Sequence, residues 1–107
     1  MRYEYRSYFA VEGKIEQVKR RFLDHTLRFF TRHGIEVVGI FEPEGSANEL
    51  HYMTRFPDEE TRKAAWAAFQ ADPEWQEVKT ASEQAGPLLE KQSVNFLEPV
   101  GPACLLS

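Results

Sequence analysis

An α+β fold with the element order β-α-β-β-α-β is what this 107-residue chain predicts, and three observations carry the expectation. Residues 3–11 alternate with period two and are rich in aromatics. Residues 14–33 repeat apolar side chains at helical spacing. Two more strand patterns, 35–42 and 49–56, flank a turn cluster and are followed by two helix starts and a last alternating run.

Each element has its own signature. In 3–11, Tyr3, Tyr5, Ser7, Phe9 and Val11 lie on one face and Glu4, Arg6, Tyr8 and Ala10 on the other, with Gly13 ending the strand. At about 100° per residue, Ile15, Val18, Phe22, Thr26, Phe29 and His33 share a helix face that Leu23, Leu27 and Phe30 widen. The opposite face offers Glu16–Arg20 and Asp24–Arg28 as i,i+4 pairs, and Arg32-His33-Gly34 closes the helix. Residues 35–42 hardly alternate, which predicts a central strand covered on both faces. The cluster Pro43 to Asn48 turns the chain into 49–56, where Leu50, Tyr52, Thr54 and Phe56 oppose His51, Met53 and Arg55. Asp58 caps a second helix carrying Arg62, Trp66 and Phe69, and Asp72-Pro73 restarts a helix with Trp75 and Val78 as buried candidates. Gly86-Pro87 ends it, and 88–97 forms the last strand, Leu89, Lys91, Ser93, Asn95 and Leu97 against Leu88, Glu90, Gln92, Val94 and Phe96. This order is the ferredoxin-like split βαβ: a four-stranded antiparallel sheet with both helices on one face. Its uncovered, aromatic-bearing face predicts a homodimer of two sheets packed face to face.

Size gives one domain, 1–99, with an irregular tail at 100–107 that holds Pro102 and the one cysteine, Cys104. A single thiol allows no internal disulfide and no multi-cysteine metal site, and fits a reducing compartment. The formal charge of -4 argues against a non-specific nucleic-acid binder. Met1 to Arg6 lacks an apolar leader core and no run reaches membrane-span length, so a cytoplasmic protein without a membrane partner is expected. GxGxxG, Walker, His-x-x-x-His, Cys-x-x-Cys and Gly-x-Ser-x-Gly patterns are absent, so motifs indicate no metal and no cofactor.

The residues also resemble the NIPSNAP family from Tyr3 to about Pro99. The likeness is carried by Glu4-Tyr5-Arg6-Ser7-Tyr8 with Gly13, by His25 within Phe22-Leu23-Asp24-His25-Thr26-Leu27, and by Arg32-His33-Gly34, Gly39, Gly45, Asn48 and Arg62. It continues through Asp72-Pro73-Glu74-Trp75 and Leu88-Leu89-Glu90-Lys91-Gln92. The resemblance implies a ferredoxin-like subunit of a dimeric α/β barrel, similar in fold to antibiotic-biosynthesis monooxygenases and haem-degrading proteins. It implies no common activity. Two positions depart from the family pattern: Arg28 stands near a frequent proline, and Thr54 near a frequent aromatic.

Candidate site residues follow from chemistry and face. His25, at the edge of the apolar arc, reads as a general acid or base facing a helix–sheet cleft, as a metal or haem ligand, or as an interfacial histidine satisfying a core hydrogen bond. His33, in the last helical turn, reads as a partner of the helix-end carbonyls. Glu4, Arg6 and Tyr8 share a strand face and either line a polar pocket, with Arg6 on a carboxylate or enolate oxygen, or form a cross-strand ion pair. His51 and Arg55 form a similar mixed face, whose relation to the first depends on register. Arg62 either stacks on Trp66 or reaches an acid across the fold. The catalytic set is then His25, Arg6 and Tyr8, and the ligand-binding set Glu4, His51, Arg55, Arg62 and Trp66. Three functions compete: a monooxygenase- or isomerase-like enzyme acting on a small apolar or oxygenated ligand, with haem as a permitted variant; a non-catalytic binding or interaction module; and an RNA-binding sheet, which the acidic balance disfavours.

Overall fold

Residues 1–45 and 48–101 are described by the structure, a computed structural model. Cys104 and residues 102–107 of the expected tail lie outside the described residues, as do Ser46 and Ala47 of the turn cluster. Strands β1 (Arg2–Ala10), β2 (Glu36–Phe41), β3 (Glu49–Phe56) and β4 (Leu89–Leu97) form one antiparallel sheet in the order β2-β3-β1-β4. After β1 the chain runs through α1 (Ile15–Arg21), a π-helical turn (Phe22–Thr26) and α2 (Leu27–Arg32); after β3 it runs through α3 (Glu59–Ala71) and α4 (Pro73–Ser82). All helices lie on one face, as the element order predicts.

That face is sealed by rings. Phe30 sits edge-on to Phe22 (5.8 Å between centroids), Trp66 (5.2 Å) and Phe69 (4.9 Å), and tilted against Tyr52 of β3 (5.9 Å). Trp75 of α4 extends the cluster onto Phe69 (4.8 Å) and Phe29 (5.9 Å). Phe22, Phe29, Phe30, Tyr52 and Phe56 are fully buried. Edge-to-face packing of this kind adds to the area each ring removes from water.

Four expectations are corrected. The first helix is not regular: its middle opens into a π turn, where the Thr26 hydroxyl donates to the Arg21 carbonyl at 3.3 Å. The wider turn rotates Arg21 into the interior (7% exposed) and leaves Leu23 outside (58%), against a regular helical wheel. Glu16 pairs with Lys19 at 3.3 Å rather than with Arg20, and Arg28 lies over the Phe29 ring instead of meeting Asp24. Strand β2 is an edge, not a central strand. Its missing alternation comes from a bulge: Val37 faces Thr54 and Gly39 faces Met53, leaving Val38 as the extra residue. Strand β4 breaks its period at Glu90 in the same way, since Ala10 faces Leu89 while Phe9 faces Lys91.

The helix starts form as read. Asp58 accepts from Thr61 N at 2.7 Å. Asp72 accepts from Glu74 N (2.9 Å) and Trp75 N (3.4 Å), with Pro73 in the first turn. Asp72 also takes His33 Nε2 at 2.7 Å and Arg32 Nη1 at 3.0 Å, so His33 bonds this carboxylate across the fold instead of its own helix end. The His33 hydrogen bond, joined by those of Glu74 N and Arg32, outweighs burial and takes the Asp72 carboxyl to about 2.

Asp72→Ala is therefore expected to lower the melting temperature by roughly 5 °C in calorimetry at neutral pH, because α4 loses its cap and α2 loses its anchor. The folded-state value lies below the ordinary 3.8. The stabilisation is thus whole above about pH 4, declines as pH falls toward 2, and the gap to Asp72→Asn closes over the same interval.

Candidate functional site

Glu4 is the buried centre of the helix-facing side of the sheet, with no exposed surface. Its carboxylate accepts from Arg6 Nε and Nη2 (3.1 Å each), Thr54 Oγ1 (2.7 Å), Arg62 Nη1 (3.1 Å) and Trp66 Nε1 (3.0 Å). Register explains the assembly. Glu4 stands opposite Thr54 on β3, Arg6 lies two residues along the same face, and Arg62 and Trp66 come from successive turns of α3. Burial pushes the Glu4 carboxyl upward, but the Arg6 and Thr54 hydrogen bonds, with the Arg6 charge and the Trp66 N–H, hold it below the usual carboxylate range. Glu4 is a charged acceptor, not a proton donor.

Arg6 follows from this arrangement. Two of its nitrogens are held by Glu4, and its guanidinium lies 3.9 Å from the Trp66 ring centroid. The stack on Trp66 is thus made by Arg6, not by Arg62. Arg62 takes the other course open to it: it bonds Glu59 and Glu4, and lies over Phe96 at 5.0 Å. Arg6 itself lines a cleft, and Nη1 is its guanidinium nitrogen that Glu4 does not hold. Beside it, the Tyr8 hydroxyl meets the Tyr52 hydroxyl at 2.8 Å. Burial raises both phenols, Tyr52 well above the ordinary value, so both stay protonated at neutral pH. With the sealed Tyr52 as donor, the Tyr8 hydrogen is left for an occupant beside it.

These groups border a cleft of about 590 Å³ between α3, α4 and the sheet. Arg6, Tyr8, Leu89 and Gln92 line its sheet side, Trp66, Phe69, Trp75 and Lys79 its helical side, and Arg21 and Glu83 one end. The volume falls within the range of small-molecule sites. Arg21 is fixed there by Ser82 Oγ and Glu83 Oε2, each at 3.0 Å.

The structure gathers Glu4, Arg6, Tyr8, Arg62 and Trp66 and separates the rest. His25 does not face the cleft: it lines a groove of about 460 Å³ between α1, the π turn and α4, with Arg20, Asp24 and Val78. Its Nδ1 is buried with no hydrogen-bond partner among the described residues. His51 and Arg55 lie on the opposite, open face of the sheet. There His51 Nδ1 meets Ser7 Oγ at 3.1 Å, His51 Nε2 meets Glu49 Oε1 at 3.0 Å, and Arg55 Nη2 bonds Glu36 at 2.8 Å. Sequence reading did not assign Thr54 and Tyr52 to the site, although both were placed on the correct strand face, nor the cleft-lining Arg21, Lys79, Glu83 and Gln92. Only the register of β1 against β3 reveals that Thr54 stands opposite Glu4 and Tyr52 opposite Arg6, diagonal to Tyr8. Among the described residues no group of three His, Cys, Asp or Glu is placed to hold a metal ion. No helix among them is long and apolar enough to cross a membrane.

Comparison with known proteins adds a family. The family model described as NIPSNAP matches residues 3–102. Among solved structures, a NIPSNAP domain protein from Burkholderia xenovorans is 24% identical over 94% of this chain and 96% of its own, with a TM-score of 0.80. Protein Atu4242 from Agrobacterium tumefaciens is 25% identical over 94% and 95%, with a TM-score of 0.81. An antibiotic biosynthesis monooxygenase shares the fold alone, at 12% identity over 94% and 99% and a TM-score of 0.64. No curated protein matches.

Thr54→Val removes one donor from a sealed carboxylate and is expected to cost about 1–3 kcal/mol in urea unfolding. Glu4→Gln leaves two guanidinium groups short of their counter-charge and is expected to cost about 3–5 kcal/mol. Because the folded-state value of Glu4 lies below its ordinary 4.5, its contribution is present above that pH and fades on acidification through the folded value. Glu4→Gln should flatten that part of the acid-unfolding profile.

Proposed function

The chain belongs to the NIPSNAP family, and from that premise we propose that it is a homodimer whose subunits each bind a small apolar or oxygenated molecule in the cleft between α3, α4 and the sheet. The observation that carries this reading is the prepared guanidinium of Arg6, gripped by Glu4, stacked on Trp66 and set beside the Tyr8 phenol at the wall of a 590 Å³ cleft. Two fixed donors on neighbouring positions of one strand face suit a carbonyl, enolate or carboxylate oxygen. Arg6 and Tyr8 would orient and polarise that oxygen, which is what a monooxygenase- or isomerase-like reaction asks of its pocket. His25 takes no part in this reading, because its groove lies elsewhere.

A second reading, a binding module without chemistry, is favoured by one observation. The acid lining the cleft, Glu83, is held by Arg21 and Lys79, and both tyrosines are kept protonated, so no described lining group is poised to take a proton. The dimer rests on the open face, where Tyr5, Phe9 and Met53 are partly exposed and Phe41 (53%) and Leu97 (39%) more so. A second sheet buries that apolar area on a two-fold axis. His51 and Arg55 would then serve the interface.

Both tryptophans of the chain line the cleft, which makes them reporters. Titrating 2-naphthol into isotope-labelled protein is expected to shift both indole N–H resonances in a two-dimensional NMR spectrum, and Arg6→Lys to weaken the response about threefold or more. Indoles that stay fixed while the probe binds would place the ligand outside the cleft. Sedimentation at micromolar concentration should give twice the 12.4 kDa chain mass, and Phe9→Glu should return the monomer.

A further inference from the structure

The charges around the cleft are unbalanced, and the imbalance has a sign. On the sheet side, Arg6 and Arg62 share Glu4, Arg62 also bonds Glu59, and Arg2 reaches Glu59 at 3.1 Å. That network holds Arg2, Arg6 and Arg62 against Glu4 and Glu59, one positive charge in excess. At the far end, Arg21 and Lys79 share Glu83 at 3.0 and 3.7 Å, again one positive charge in excess. A chain with a formal charge of -4 thus sets a local surplus of cations on two sides of one cleft. Between them stand Trp66, Phe69 and Trp75, and the remaining polar lining, Gln70, Gln76 and Gln92, is neutral.

Resting on the cleft assignment above, we infer that the ligand class is an aromatic or similarly planar monocarboxylate, its ring against the tryptophan-bearing wall and its carboxylate on Arg6 with the Tyr8 hydroxyl. Arg6 is suited to the anion because Glu4 already fixes its plane, so little side-chain entropy is lost on binding. The excess positive charge remains after the internal ion pairs are made, and the low-dielectric wall of rings strengthens its field inside the cleft. Lys79 acts at longer range. It is half-exposed, and its pairing with Glu83 is long, so it contributes field rather than a fixed hydrogen bond.

Three probes of one shape separate the charge class from the cleft itself: 2-naphthoate, 2-naphthalenemethanol and 2-naphthylmethylammonium, each titrated into the full chain by calorimetry with the indole resonances followed in parallel. The carboxylate is expected to bind at least tenfold tighter than the alcohol, and the ammonium weakest. Lys79→Gln, an exposed change that spares the core, should reduce the preference for carboxylate over alcohol about threefold, as should raising the salt from 50 to 500 mM. Arg6→Lys keeps the charge but loses the fork, and should weaken the carboxylate more than the alcohol. Equal affinity for carboxylate and alcohol, with both indoles shifted, overturns the anion assignment and leaves the cleft assignment standing. Failure of all three probes to shift either indole overturns both.

Discussion

A carboxylate with no exposed surface governs this fold. Glu4 cannot be buried alone, since a desolvated unpaired charge would cost several kcal/mol. It must therefore collect donors, and it collects them from three elements: Arg6 on its own strand, Thr54 on β3, and Arg62 with Trp66 on α3. The requirement is geometric as well as energetic. A one-residue slip of β1 would turn Glu4 to the open face and strand both arginines. A rotated α3 would carry off two donors at once. The orientation of Arg6 in the cleft is a by-product of these demands, because a guanidinium already bonded along one edge can offer only what remains.

A second polar tie works at the opposite end of the helical layer. Asp72 caps α4 and receives His33 and Arg32 from the end of α2, so one short side chain joins three helical termini. Between the two ties lies the ring cluster centred on Phe30. The cleft opens where that cluster ends, and Trp66 and Trp75 serve as core on one side and as lining on the other. A scaffold pinned at both ends in this way keeps a recess open without filling it.

Much of this was legible in the residues, for identifiable reasons. Alternation in 3–11 and 49–56 assigned the side chains of β1 and β3 to the correct faces; β3 buries one face only, whereas β1 also buries Tyr3 and Ser7 on the open face. Asp58 and Asp72-Pro73 announced two helix starts through capping chemistry that acts within a few residues. Local rules failed where one residue is added to an element. The π turn shifted Arg21 and Leu23, and Val38 made an edge strand look like a central one. Within the site, Glu4, Arg6 and Tyr8 could be grouped because they lie on one strand. Thr54, Tyr52 and the Arg6–Trp66 stack depend on register and on how α3 docks, neither of which is written in a local window. Thr54 shows the gain most plainly: read as a departure from the family pattern, it proves to be a hydroxyl donor to Glu4.

The two bulges have a consequence for assembly beyond the shape of the sheet. Both extra residues, Val38 and Glu90, sit on the outer strands β2 and β4, so each rim of the sheet is bent where a flat neighbour would have to zip along it. Pairing of one rim with the opposite rim of the next copy is head-to-tail, and where its rotation does not close it grows into fibres. Bends at both rims oppose that open-ended mode of growth.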